Sequence, residues 1–121
     1  MPSEKYRFIK HQGKNILFLD FSGTPQELIK TLEGAARLIE MQPHHTLLIL
    51  TDVREGVYSS ETSRAIKEFT LHNTPYVNAS AVVGVTGLKR VLLSAIVKVT
   101  GRHFELFEHQ EDALNWLVNH A

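Results

Sequence analysis

Two runs, HTLLILT from His45 to Thr51 and ASAVVGV from Ala79 to Val85, constrain this chain more than any other feature. Each is nearly unbroken in apolar residues and flanked by polar ones. That pattern belongs to a strand covered on both faces, because a strand with one wet face alternates apolar and polar side chains. Between the two runs lies a segment of helical length, so the strands pair in parallel through a right-handed crossover. The chain is therefore built around a sheet with helices on its faces.

The remaining elements are read outward from these strands. Tyr6 to His11 and Asn15 to Phe21 form a hairpin, expected antiparallel, across Gln12-Gly13-Lys14. A helix then opens with Thr24 as N-cap, Pro25 at its first position and Glu27 closing a capping box. Its inner face is Leu28, Leu32, Ala35, Ala36 and Ile39. A second helix runs from about Ser60 to His72, with Ala65, Ile66 and Phe69 inward, and Asn73-Thr74-Pro75 stops it. The third runs from Thr86 to Thr100, capped by Thr86 and ended by Gly101. A short strand at His103 to Phe107 precedes a last helix carrying Ala113, Leu114, Trp116 and Leu117. The expectation is a small mixed α/β sheet of about five strands, its first hairpin antiparallel and the rest largely parallel, with about four helices.

A chain of 121 residues without linker-like runs is expected to form a single domain, residues 1–121, able to bury one core. Hydrophobic residues make up 43% and charged residues 21%, as in a soluble globular protein. Thirteen basic residues balance thirteen acidic ones, and no basic-aromatic interleaving appears, so nucleic acid is not an expected partner. Cysteine is absent, which excludes disulfides and thiolate chemistry and suits a reducing cytoplasm. The opening MPSEKYRFIK has no apolar core of the signal-peptide kind, and no membrane span is expected.

In open α/β sheets ligands meet the carboxyl ends of the parallel strands. That rule brings four loops together, Ser22 to Thr24, Asp52 to Ser60, Thr86 to Lys89 and the Glu108-His109 turn, and two of them carry candidate residues. In TDVREGVYSS, Asp52 ends a strand, Tyr58 is expected exposed, and Ser59 and Ser60 stand at a helix start, where a phosphate would meet the positive end of the helix dipole. The plainer alternative is that Asp52 bonds loop amides and Ser60 caps the helix. In VTGLKR, Thr86, Gly87, Lys89 and Arg90 offer backbone N–H groups and two cations to a phosphate or carboxylate. Here the alternative is two long side chains reaching into solvent. Beyond these loops, the helix starting at Leu88 has an apolar stripe of Leu88, Val91, Leu92, Ala95, Ile96 and Val99, with Leu93 and Val97 outside it. A stripe that wide calls for a second contact, whether a homodimer partner, a lipid surface or a fatty ligand, unless the helix is central to its own domain. Seven histidines show no H-x-x-x-H or HExxH spacing, VTGLKR lacks P-loop spacing, and no GxSxG elbow occurs. No metal, cofactor or catalytic residue is expected.

The string HNTPYVNASAVVGVTGLKRVLLSAIVKVTGR, with FELFEHQEDALNWL after it, resembles the small SpoIIAA-like proteins, a family grouped with STAS domains and with the CRAL-TRIO lipid-binding fold. The resemblance runs from about Asn15 to Val118. It implies a bacterial, non-enzymatic regulatory or ligand-binding module, acting on a protein partner or a small anionic or lipid-like ligand. The STAS side implies a phosphorylatable serine at the helix start, here Ser59 or Ser60 in Tyr58-Ser59-Ser60-Glu61, without the Asp before and the Gly after it. The CRAL-TRIO side implies a lipid-binding or membrane-associated carrier, whose ligand's anionic head would rest at Lys89 and Arg90. A small-substrate enzyme using Asp52 and Ser60 is a third reading.

Overall fold

Gln12 and Gly13 both take positive φ, 50° and 81°, the backbone that the tightest hairpin loops demand. They fold β1 (Tyr6–His11) back on β2 (Lys14–Asp20) in antiparallel register, from Tyr6 opposite Leu19 to His11 opposite Lys14. A computed structural model provides this structure and describes residues 4–56 and 58–120. Beside β2 run β3 (Leu47–Asp52), β4 (Val77–Val83) and the three-residue β5 (Glu105–Phe107), each parallel to its neighbour. The sheet order is β1-β2-β3-β4-β5, as the chain runs.

Among the described residues three helices connect the strands and a fourth follows β5. α1 (Pro25–Glu40) begins where its capping box places it: the Thr24 hydroxyl accepts from the Glu27 amide, and the Glu27 carboxylate accepts from the Thr24 amide. α2 (Ser60–Asn73) is capped by Ser59, with Thr62 completing the reciprocal pair, so Ser60 is the first helical residue and not the cap. α3 (Leu88–Thr100) starts later than Thr86. Gly87 occupies the cap position at φ 56°, a backbone that other residues adopt only under strain, and no side chain caps this helix. α4 (Gln110–Val118) closes the chain's order.

The two central strands begin and end about two residues from the apolar runs that announced them. His45 takes φ 59° and cannot extend the strand, so β3 starts at Leu47. β4 begins at Val77, directly after a single 3-10 turn at Thr74–Tyr76.

Because sequence order and spatial order coincide, each right-handed crossover falls on the same side of the sheet. α1, α2 and α3 therefore cover one face together, packing on Leu17, Leu19, Ile49 and Val82. α4 alone covers the other, with Ala113, Leu114 and Leu117 against Ile16, Leu48, Leu50 and Val83. Alternate residues of β2, β3 and β4 serve the two cores in turn, which explains runs without polar interruption.

Leu50 is 0% exposed and Leu88 is 87% exposed. Leu50→Ala is expected to lower unfolding free energy by about 2–5 kcal/mol, and Leu88→Ala to change it by less than about 0.5 kcal/mol, both read from urea denaturation midpoints.

Candidate functional site

Register places Asp20, Asp52 and Val83 side by side at the carboxyl ends of β2, β3 and β4, so the loops that follow them are neighbours. Asp52 is consumed locally. Its carboxylate accepts from the Arg54 amide at 3.0 Å and from the Arg54 guanidinium, closest at 2.7 Å between Oδ2 and Nη2. Burial by itself would raise the Asp52 pKa, but the Arg54 bonds and the Lys89 charge more than offset it, holding the carboxyl below its ordinary value.

The lysine at the start of α3 joins the two loops. Lys89 Nζ donates to the Val53 carbonyl at 2.6 Å and to the Arg54 carbonyl at 3.0 Å. Two of its three donors are thus spent on backbone rather than left to solvent. Arg90, Thr86 and Gly87 are exposed. Tyr58, expected on the surface, is half-buried and donates to the Phe21 carbonyl at 3.1 Å. Burial, with Asp52 and Asp20 nearby, pushes its phenol well above the ordinary range, so it remains a neutral donor. Ser59 and Ser60 are both exposed at the start of α2.

Beneath these loops the core on the three-helix side is partly hollow. A cavity of about 80 Å³ lies between the sheet and the pair α2–α3. Leu19, Phe21, Ile49 and Val82 form its floor, Ile66, Phe69, Leu92, Leu93 and Ile96 its roof, and Tyr58 and Lys89 stand at its loop end. Farther along it, Thr70, Asn73, Ser80 and Arg102 form a polar region. Ser80 and Arg102 also border a wider surface cleft of about 580 Å³ that includes His45, His103 and His120.

α3 sits loosely over this space. Ile96 is its one buried residue, with Leu92 and Leu93 partly buried against the core. Lys89, Leu92, Leu93 and Ile96 share a helix face, and the lysine's grip on two carbonyls turns that face inward. The expected stripe is split as a result: Leu88, Val91 and Val99 point outward and are 87%, 67% and 59% exposed.

Asn73 and Arg102 were not among the residues that sequence patterns singled out. Asn73 reads as a helix terminator and Arg102 as an ordinary charge after Gly101. The one available signal was an arginine placed between an apolar helix and a strand, where its side chain has a short path into the fold. In the structure Arg102 donates to the Thr70 carbonyl at 3.0 Å, to Ser80 Oγ at 2.9 Å and to Thr74 Oγ1 at 3.4 Å. Among the described residues no carboxylate pairs with it.

Among the described residues no group of three or more His, Asp or Glu side chains is placed to hold a metal ion. No described helix is long and apolar enough to cross a membrane. Compared with known proteins, the chain matches no family model, and no curated protein or solved structure matches it significantly.

A depressed carboxylate pKa stabilises the fold above its unfolded value and loses that contribution as pH falls through the folded value. For Asp52 the loss therefore begins below the ordinary value of 3.8. Asp52→Asn is expected to cost about 1 kcal/mol at neutral pH, and the gap from wild type should close in unfolding titrations carried below that pH.

Proposed function

We propose that this chain is a non-enzymatic binding module that takes a small, largely apolar ligand between its sheet and α2–α3. The observation that carries the reading is the cavity of about 80 Å³ inside the principal core. Protein interiors normally close such spaces. Side chains lining such a space lack packing partners on one side, and a ligand filling it would supply those contacts. At about 30 Å³ per water the space corresponds to two or three waters, so it fits a short alkyl chain or the end of a longer acyl chain.

Membership of the SpoIIAA-like family is part of the proposal, supported by the resemblance of AVVGVTGLKR and of the closing FELFEHQEDALNWL. Of the two roles this resemblance implies, the hollow core favours the CRAL-TRIO side, an apolar ligand, over a phosphorylation switch at Ser59 or Ser60. The ligand's place shifts accordingly, from Lys89 and Arg90 at the surface to the cavity behind Lys89. A homodimer through Leu88, Val91 and Val99 is a second element of the proposal. The supporting observation is that these three side chains stand exposed in a row on one helix, and two-fold pairs are the commonest way to cover such a row. Peripheral membrane contact follows from the family reading, and a cytoplasmic location is supported by the absence of cysteine.

Native mass spectrometry of freshly purified protein, before and after denaturation, tests both elements. The expected spectrum shows two chains and a small-molecule mass excess that vanishes on denaturation. A bare single chain whose melting temperature is raised by no short-chain acid or alcohol would contradict the reading, because a filled site at a hundred times its Kd adds about 2.7 kcal/mol of stability.

A further inference from the structure

The polar region of the cavity contains two groups whose bonding the fold leaves incomplete. Asn73 is 2% exposed, and its side-chain carbonyl Oδ1 has no hydrogen-bond partner. A buried carbonyl left unbonded carries its whole desolvation penalty. Arg102 is the second. It makes three hydrogen bonds, all to uncharged acceptors, out of the five that a guanidinium can donate. Its planar group also lies over the Phe104 ring, 5.1 Å from the ring centre. Burial pulls its pKa below the ordinary value, the mark of a cation short of compensating charge. Thr70 and Thr74, the two α2-side residues it grips, bracket Asn73 in the chain, and Asn73 and Arg102 both line the cavity.

We propose that Arg102 and Asn73 form a head-group subsite, and that the ligand is a short-chain carboxylate bearing a hydroxyl beside its acid group. The inference rests on the cavity being the ligand site and names its chemistry. The carboxylate accepts from the unused guanidinium N–H groups, giving Arg102 the counter-charge the protein does not supply. Asn73 Oδ1 is closed off in the free protein, so its amide turns toward the ligand as the neighbouring hydroxyl donates to it, and the alkyl chain lies against Ile49, Val82, Leu92 and Ile96. A hydrocarbon alone satisfies neither polar group, and an anion without a donor satisfies only Arg102.

Calorimetric titration of the full chain with 2-hydroxyhexanoate, hexanoate and 1-hexanol separates these contributions at constant chain length. The hydroxy acid is expected to bind at least about tenfold more tightly than the alcohol, with hexanoate between them, since a hydrogen bond to a charged group is worth about that factor. Arg102→Met should remove the advantage of both acids over hexanol. Arg102 also ties α2 to β4, so a second variant keeps the test open if this one does not fold. Asn73→Leu should raise the melting temperature of the free protein, by deleting an unbonded buried carbonyl, while bringing the hydroxy acid down to the affinity of hexanoate. Equal affinity for all three probes would overturn the head-group subsite and leave the cavity reading standing. Binding of none would overturn both, and an unchanged ratio in Asn73→Leu would remove Asn73 from the site.

Discussion

Strand order is the constraint on which the rest of this structure depends. With β2, β3, β4 and β5 laid down in sequence, right-handed crossovers send three successive helices to one face. There is no point where the order reverses, and so none of the crevice that a reversal opens between helices on opposite faces. Space for a ligand must arise elsewhere. It arises under the last helix of the row, because α3 has α2 on one flank and the free edge of the sheet on the other, where β5 contributes three residues.

Two cations set how that helix sits. Lys89 ties its first turn to the carbonyls of Val53 and Arg54. Arg102, just past its end at Gly101, ties the exit to Thr70 and Ser80. Both ends are held by hydrogen bonds, while the middle rests on Leu92, Leu93 and Ile96. A helix pinned at its ends over a hollow has little apolar contact to lose if that hollow is filled. The charged first turn thus has a structural explanation: Lys89 faces backbone carbonyls of a neighbouring loop, whose partial negative charge offsets the unfavourable end of the helix dipole.

The fold was legible in the sequence wherever several local signals coincided. Thr24, Pro25 and Glu27 located the start of α1 to the residue, because a cap, a preset φ and a reciprocal side chain all depend on the same few positions. The apolar runs revealed β3 and β4 but misplaced their ends, since burial on both faces carries no information about register. α3 was misread for a different reason. Its stripe is consistent with several rotations, and the one adopted follows from a bond between Lys89 and a loop far back in the chain. The same limit hid the polar end of the cavity: Asn73 and Arg102 carry ordinary local signals, and their significance exists only once α2 and the entrance to β5 are brought together. Of the loop residues that sequence singled out, Tyr58 and Lys89 do line the cavity, whereas Asp52 is occupied by Arg54.

The location of ligand entry can be read directly from methyl NMR, because the two faces of the sheet carry separate sets of methyl groups. On addition of a short-chain carboxylate, resonances of Ile49, Val82, Leu92, Leu93 and Ile96 should move. Those of Leu48, Leu50, Val83 and Leu117 should stay in place. Shifts confined to Leu88, Val91 and Val99, or spread equally over both faces, would contradict a site between the sheet and α2–α3.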